Sequence, residues 1–347
     1  MLVNSRLDKE KPFSYGYSII FVCFILAGAN LFRTPAWSAD VIEYQNVYDL
    51  IIGGTVNSFT DFVQLSFEPG FIILALATGF VTSSVNLLLF FFGFTSLIIK
   101  LSYIQRRYVR KDVSLIILYS LTYFILLELT QSRIAIASAI LLVGYHFLAR
   151  QMPGKFLLMV VVATMFHYSA LVGLLALIFY NQSGLDAVKR NLIVIAVLAF
   201  SAYALRSSAV FELIQIVDAK KASYLTSADT DQGSGIIRVG IVVLYQSLIL
   251  AVTRPAVLRA AESSVMRFHA LIFNLYVISI SIYLTLNSFG VVAVRLAEVF
   301  RNVEPFLLAI ALSHCSPKKK PILWGVFFIA ICVNLQKNNS AIFPDGF

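Results

Sequence analysis

Arg133, Arg295 and Arg301 are the residues around which the chemistry of this 347-residue chain gathers. Arg133 stands in LELTQSRIAIASAILL (127–142), and Arg295 and Arg301 in VVAVRLAEVFRNVEPFLLAIALSHC (291–315). Both stretches have the apolarity of hydrocarbon-embedded segments, and a charge there costs several kcal/mol, ~3 or more, unless it faces a cavity or an opposite charge. Two or three guanidiniums converging on one cavity would suit phosphate or pyrophosphate, whose oxygens their planar forks grip in bidentate fashion. A membrane protein meets pyrophosphate most naturally on a polyprenyl carrier. The same residues admit a plainer arrangement. Arg295, Glu298, Arg301 and Glu304 follow an i,i+3 spacing that allows a self-compensating ladder of ion pairs. Arg133 can pair with Glu128, or snorkel to the interface.

A second group could move protons. Of four histidines, His146, His269 and His314 fall near basic loops, while His167 lies in FHYSA, in the middle of an apolar stretch. The polar segment 34–68 carries Asp40, Glu43, Asp49, Asp61 and Glu68 among Trp37, Tyr44 and Tyr48. Acids beside aromatics suit carbohydrate, whose ring faces stack while its hydroxyls hydrogen-bond; they also suit an interfacial aromatic belt. The segment DAKKASYLTSADTDQGSGIIR (218–238) adds Lys220, Lys221 and Tyr224, and reads as a loop over a cavity or as a plain solvated connector. Cys23, Cys315 and Cys332 lack metal-ligand or disulfide spacing, and no Gly-rich phosphate loop or nucleophile elbow stands in a suitable context.

The elements that must position these groups are membrane helices. Hydrophobic residues make up 59% of the chain and charged residues 13%, more apolar surface than a soluble domain can hide. The net charge of +9 lies mostly in short loops between apolar runs, which fits cytoplasmic retention better than nucleic-acid binding. Candidate spans are 17–33, 69–104, 113–130, 133–149, 156–180, 191–206, 236–253, 268–289, 291–313 and 321–336. The fold expected is all-α: one integral membrane domain over 1–347, a polytopic bundle of about 10–12 helices. The first apolar run reads as a retained helix, because no small-residue cleavage site follows it. Basic loops at 105–111, 150–155, 189–190, 254–267 and 317–320 place the N-terminus in the cytoplasm and segments 34–68 and 207–235 outside.

Two runs break the pattern. Stretch 156–180 separates basic loops that belong on one side, and each half, about 12 residues, spans only about 18 Å. It therefore reads as a re-entrant or broken pair with His167 near its tip, at mid-membrane depth, facing a protein-lined or wet cavity. A single tilted helix is the simpler alternative. Stretch 69–104 is too long for one helix, and its first part, up to TSSVN (82–86), reads as a half-helix. In 291–320, placing all four charged residues outside would leave only about 14 Å of helix to cross the bilayer, so the charged turns belong in its outer half.

These motifs, in this order, resemble the EpsG/Wzy-type exopolysaccharide and O-antigen polymerase family over roughly 30–312. SADVIEYQNVYD is similar to its Asp-x-x-x-Tyr-x-x-x-Tyr segment at Asp40, Tyr44 and Tyr48. FEPGF resembles its Glu-Pro-Gly-aromatic motif at Glu68, Pro69, Gly70 and Phe71, and QSRIAIA its arginine motif at Arg133, Ile136 and Ala137. FHYSAL is similar to its Phe-His-x-Ser-Ala helix, and VRLAEVF to its late arginine segment at Arg295. The family's glutamine after the arginine is Ile134 here. The resemblance implies a membrane glycosyltransferase of the bacterial inner membrane with a GT-C-like bundle, no nucleotide sugar and no metal or other cofactor. Its substrate would be an undecaprenyl-diphosphate-linked oligosaccharide, transferred at the periplasmic face onto the non-reducing end of another lipid-linked repeat unit. A chain-length regulator protein is a possible further partner. Within that frame Arg133, Arg295 and Arg301 bind diphosphate, His167, Asp40 or Glu68 acts as base, and Tyr44, Tyr48 and Tyr224 touch sugar. Rival readings are an O-antigen ligase to lipid A core, a flippase or transporter of lipid-linked sugar, and a non-catalytic scaffold.

Overall fold

The computed structural model describes residues 14–34, 38–54, 67–108, 114–180, 244–254, 264–286 and 291–316, with parts of 318–328. Helix α1 (Ser14–Phe32) precedes α2 (Ala39–Ile52), whose first turn is capped by the Ser38 side chain accepting from the Val41 N–H. Helix α3 (Pro69–Gly79) has Pro69 at its first turn, where a missing N–H costs nothing. A break at 80–85 leads to α4 (Asn86–Leu97), which runs on through a π-helical turn, Ile98–Ile104, to Gln105–Tyr108. Helix α5 (Ser114–Thr122) likewise continues as a π-helix, Phe124–Thr130. Then come α6 (Ser132–Ala149), α7 (Pro153–Thr164) and a 3-10 helix, Tyr168–Phe179. A helical segment α8 (244–254), α9 (Ser264–Thr285), α10 (Val291–Arg301) and α11 (Glu304–His314) follow. Every regular element among the described residues is helical.

Among the described residues three helices are long and apolar enough to cross a membrane: Asn86–Ile104, Ser132–Ala149 and Ser264–Thr285. Large apolar side chains such as Phe21, Phe24 and Phe32 on α1 and Leu158 and Val161 on α7 are exposed, as suits a lipid-facing surface. The main core is laid down by α4 to α7 and α9 to α11, with α6 at its centre. A smaller cluster joins α2, α3 and the start of α4 through Tyr44, Tyr48, Phe67, Phe71 and Phe92, reaching Ile136 on α6.

Both unusual runs are broken, as expected. Stretch 69–104 divides at 80–85 into a short helix and a long one. Stretch 156–180 reverses at Met165–His167. Gly144 on α6 faces Phe156 and Met159, whereas Gly173 faces Leu141, one turn nearer the start of α6. Helix α7 therefore runs antiparallel to α6, and the 3-10 helix turns back along it. The tip lies against Ile134, Ala137 and Ser138, near the first turns of α6. The hairpin starts immediately after α6 ends, and its twelve-residue arm climbs about 18 Å of an about 27 Å helix.

Candidate functional site

Glu68 stands at the N-cap position of α3, yet its side chain does not cap the helix. Its carboxylate turns instead between two other elements. Oε2 accepts from the Arg133 guanidinium at 2.5 Å, and Oε1 lies 2.9 Å from Nδ1 of His167 and accepts the Tyr168 N–H at 3.3 Å. Three segments far apart in sequence thus meet on one buried acid. The neighbouring residues explain how. The Gly70 N–H donates to the Met165 carbonyl at 2.7 Å, and a Cβ at Gly70 would lie 2.6 Å from that oxygen, so only glycine lets the two backbones approach this closely. Phe166 packs edge-on against Phe92, fixing the tip from the other side. Glutamate, proline and glycine in FEPGF therefore have separate duties: ion pair, helix start and close approach.

Arg133 is buried, with its guanidinium 4.0 Å from the centre of the Phe67 ring and 5.1 Å from that of Tyr44. Its Nε has no acceptor among the described residues. His167 has extended backbone (φ −159°) because it occupies the turn between helices, and its side chain keeps 12% exposure. With Nδ1 held by Glu68, its Nε2 is left to exchange a proton. A narrow space of about 150 Å³ beside it is lined by Ser138, Leu141, Ser169, Ala170 and Val299. Asp40, on the first turn of α2, receives Arg295 of α10 at 3.3 Å; this pair is open, with side chains 23% and 38% exposed.

Several expectations need correction. Arg133 does not pair with Glu128. A break in the helix at Gln131 (φ −104°, ψ 51°) separates them, and Glu128 turns to the π-helical continuation of α4, where Lys100 lies 3.2 Å away. Tyr119 and Ser96 also donate to that carboxylate at 2.7 and 2.8 Å. Arg301 is not placed with Arg133 and Arg295. It lies in a separate buried network, its Nε donating to the Tyr123 hydroxyl at 3.0 Å and standing 4.0 Å from Glu304. Glu304, fully buried, accepts the hydroxyls of Tyr123, Tyr276 and Tyr245. The i,i+3 ladder is thus split, since Arg295 turns to Asp40 while Arg301 turns inward. Tyr48 is fully buried, and its hydroxyl donates to the Thr82 carbonyl at 2.9 Å, tying α2 to the break before α4. Tyr44 is buried against Phe67 and Phe71, with its ring 5.1 Å from the Arg133 guanidinium. Glu68 has both oxygens engaged, Oε2 by Arg133 and Oε1 by His167 and the Tyr168 N–H. Tyr224, Asp61, Trp37 and the segment 207–235 lie outside the described residues.

Sequence reasoning passed over Lys100 and Arg33. Lys100 carried a signal, a lone lysine inside an apolar run; Arg33, at the end of the first run, looked like an ordinary boundary charge.

The described residues define a class: an all-helical protein with membrane-length apolar helices that gathers an acid, a histidine and arginines at the break points of its shorter helices. The chain belongs to the EpsG family, whose family model matches residues 16–340. No curated protein and no solved structure matches it significantly. Membership of that family indicates polysaccharide polymerisation in general terms.

Proposed function

We propose that this protein is a polysaccharide polymerase that moves a glycan from an undecaprenyl-diphosphate carrier onto the non-reducing end of another lipid-linked repeat unit, at the periplasmic face of the inner membrane. The observation that carries the reading is the shared carboxylate of Glu68, which holds a proton acceptor, His167, and a cation, Arg133, from opposite sides. Glycosyl transfer needs both kinds of group. The acceptor hydroxyl attacks the anomeric carbon and gives its proton to Nε2 of His167. The anomeric carbon–oxygen bond breaks, and the electron pair leaves with the diphosphate. Negative charge developing on that leaving group is stabilised by preorganised cations, Arg133 and Arg295. Arg295 suits this role because its acid partner is half-open to exchange, a 3.3 Å contact at the rim and not a sealed pair. Glu68 orients His167 and stabilises its protonated form, much as a buried acid does in other acid–histidine pairs.

The test is reconstitution. Purified protein in liposomes, supplied only with lipid-linked repeat units, is expected to release undecaprenyl diphosphate and lengthen the glycan. Turnover only when lipid A core is present would sink the reading in favour of a ligase. Movement of intact lipid-linked sugar across the bilayer without elongation would sink it in favour of a flippase.

A further inference from the structure

Each of the three arginines nominated from sequence has an acid beside it: Glu68, Asp40 or Glu304. Arg33 differs. It is 3% exposed, and its Nε and both terminal nitrogens are buried without a hydrogen-bond acceptor among the described residues. Its position is fixed, not incidental, because the Asn86 side chain at the head of α4 donates to the carbonyls of Leu31 and Arg33 at 3.3 and 3.1 Å. The ionisable group that acts on it electrostatically is Tyr44. Tyr44 in turn feels Arg133, Asp40 and Arg295. Tyr44 lies 5.1 Å from the Arg133 guanidinium and shares α2 with Asp40, the partner of Arg295, so this helix gathers arginines of α6 and α10 just after the end of α1, with Glu68 and Asp40 as their acids.

An unpaired buried guanidinium is a liability that proteins rarely keep without a ligand to neutralise it. We infer that Arg33 is the open cation of an anion subsite around Tyr44, and that the anion it takes is the diphosphate of the lipid carrier, with Arg295 completing the grip when it leaves Asp40. The carrier assignment rests on the polymerase reading; the anion site itself does not. Diphosphate fits better than a single phosphate because the cations are contributed from separate helices around a common centre, enough for two phosphoryl groups with bidentate donors to each.

The experiment uses the full chain in detergent, with inorganic pyrophosphate as probe and low salt. Arg33→Gln is expected to weaken pyrophosphate binding at least tenfold while its thermal midpoint stays level or rises, since an uncompensated charge has been removed. Arg33→Lys should retain part of the binding. A wild-type chain that does not bind pyrophosphate, or an Arg33→Gln chain that binds it unchanged, would overturn the subsite. So would a lowered midpoint in Arg33→Gln, because that result means the guanidinium is stabilising the apo fold. Displacement of pyrophosphate by polyprenyl diphosphate but not by phosphatidylglycerol supports the carrier; displacement by phosphatidylglycerol refutes that assignment. If binding depends on Arg33 but repeat units are never elongated, the anion site stands and the polymerase reading fails. If elongation proceeds with an unchanged KM in Arg33→Gln, the reading stands and the subsite fails.

Discussion

Glu68 and Glu304 are both buried acids beside an arginine, and they behave as opposites. Glu304 is fully enclosed, accepts three phenols and faces Arg301 across 4.0 Å at the break between α10 and α11. Glu68 is nearly as buried and also stands at a helix start, but the histidine that shares its carboxylate keeps 12% exposure. Its partners are a histidine in a turn and an arginine in the first turn of α6, and the open Asp40–Arg295 pair lies in the same region. A sealed network can only hold helices together, whereas one with partly exposed members has neighbours that can trade partners. The Lys100–Glu128 pair, with neither side chain exposed, belongs with Glu304. Burial of charge at a helix break therefore does not by itself mark the candidate site; partial exposure of the acid's partners does.

Substitutions at the two acids should separate along this line. Glu304→Ala leaves Arg301 buried without its acid and three phenols without their acceptor, which should cost about 3–5 kcal/mol of stability. Folded yield and thermal midpoint in detergent measure this, and a stable, well-expressed variant would dissolve the contrast. His167→Ala is expected to lower elongation by about 10²–10⁴-fold with a midpoint close to wild type. A large fall in midpoint with activity per folded molecule preserved would move His167 into the structural group. Gly70→Ala forces a Cβ toward the Met165 carbonyl and should cost about 1–3 kcal/mol. It should also reduce activity by displacing His167, so equal activity at equal folded concentration would uncouple the close approach from the site. Tyr48→Phe removes one hydrogen bond, worth about 0.5–1.5 kcal/mol, and should leave KM for lipid-linked substrate unchanged. A raised KM would restore Tyr48 as a sugar contact.

What could be read from sequence was where the long runs break. The two-part division of 69–104 follows from its length against bilayer thickness, and the reversal at His167 from basic loops at both ends of 156–180 that belong on one side. The burial of Arg133, Arg301 and Glu304 follows from apolar flanks. Facing could not be read. Glu128 and Arg133 sit close in sequence, yet a π-helical turn before Gln131 sends the glutamate toward Lys100, and an irregular turn leaves no trace in hydrophobic spacing. Arg295 and Arg301 are six positions apart on one helix, enough rotation to send one toward Asp40 and the other inward. Tyr48 shows the same limit, since aromatic character announces neither a sugar platform nor a strut. Arg33 escaped because its distinction is the lack of an acceptor among the described residues, a property no single residue displays in a linear string.

The Met165–Gly70 hydrogen bond has a mechanical side. With the Tyr168 N–H also bonded to Glu68, residues 67–70 and 165–168 lie along each other as a short backbone seam. Tilting of α3 or α7 would be absorbed at their distal ends, while the catalytic register stays locked at the stitched ones. Lipid bilayers flex and thin, and a joint of this kind lets the scaffold ride those undulations without loosening the hold of Glu68 on His167.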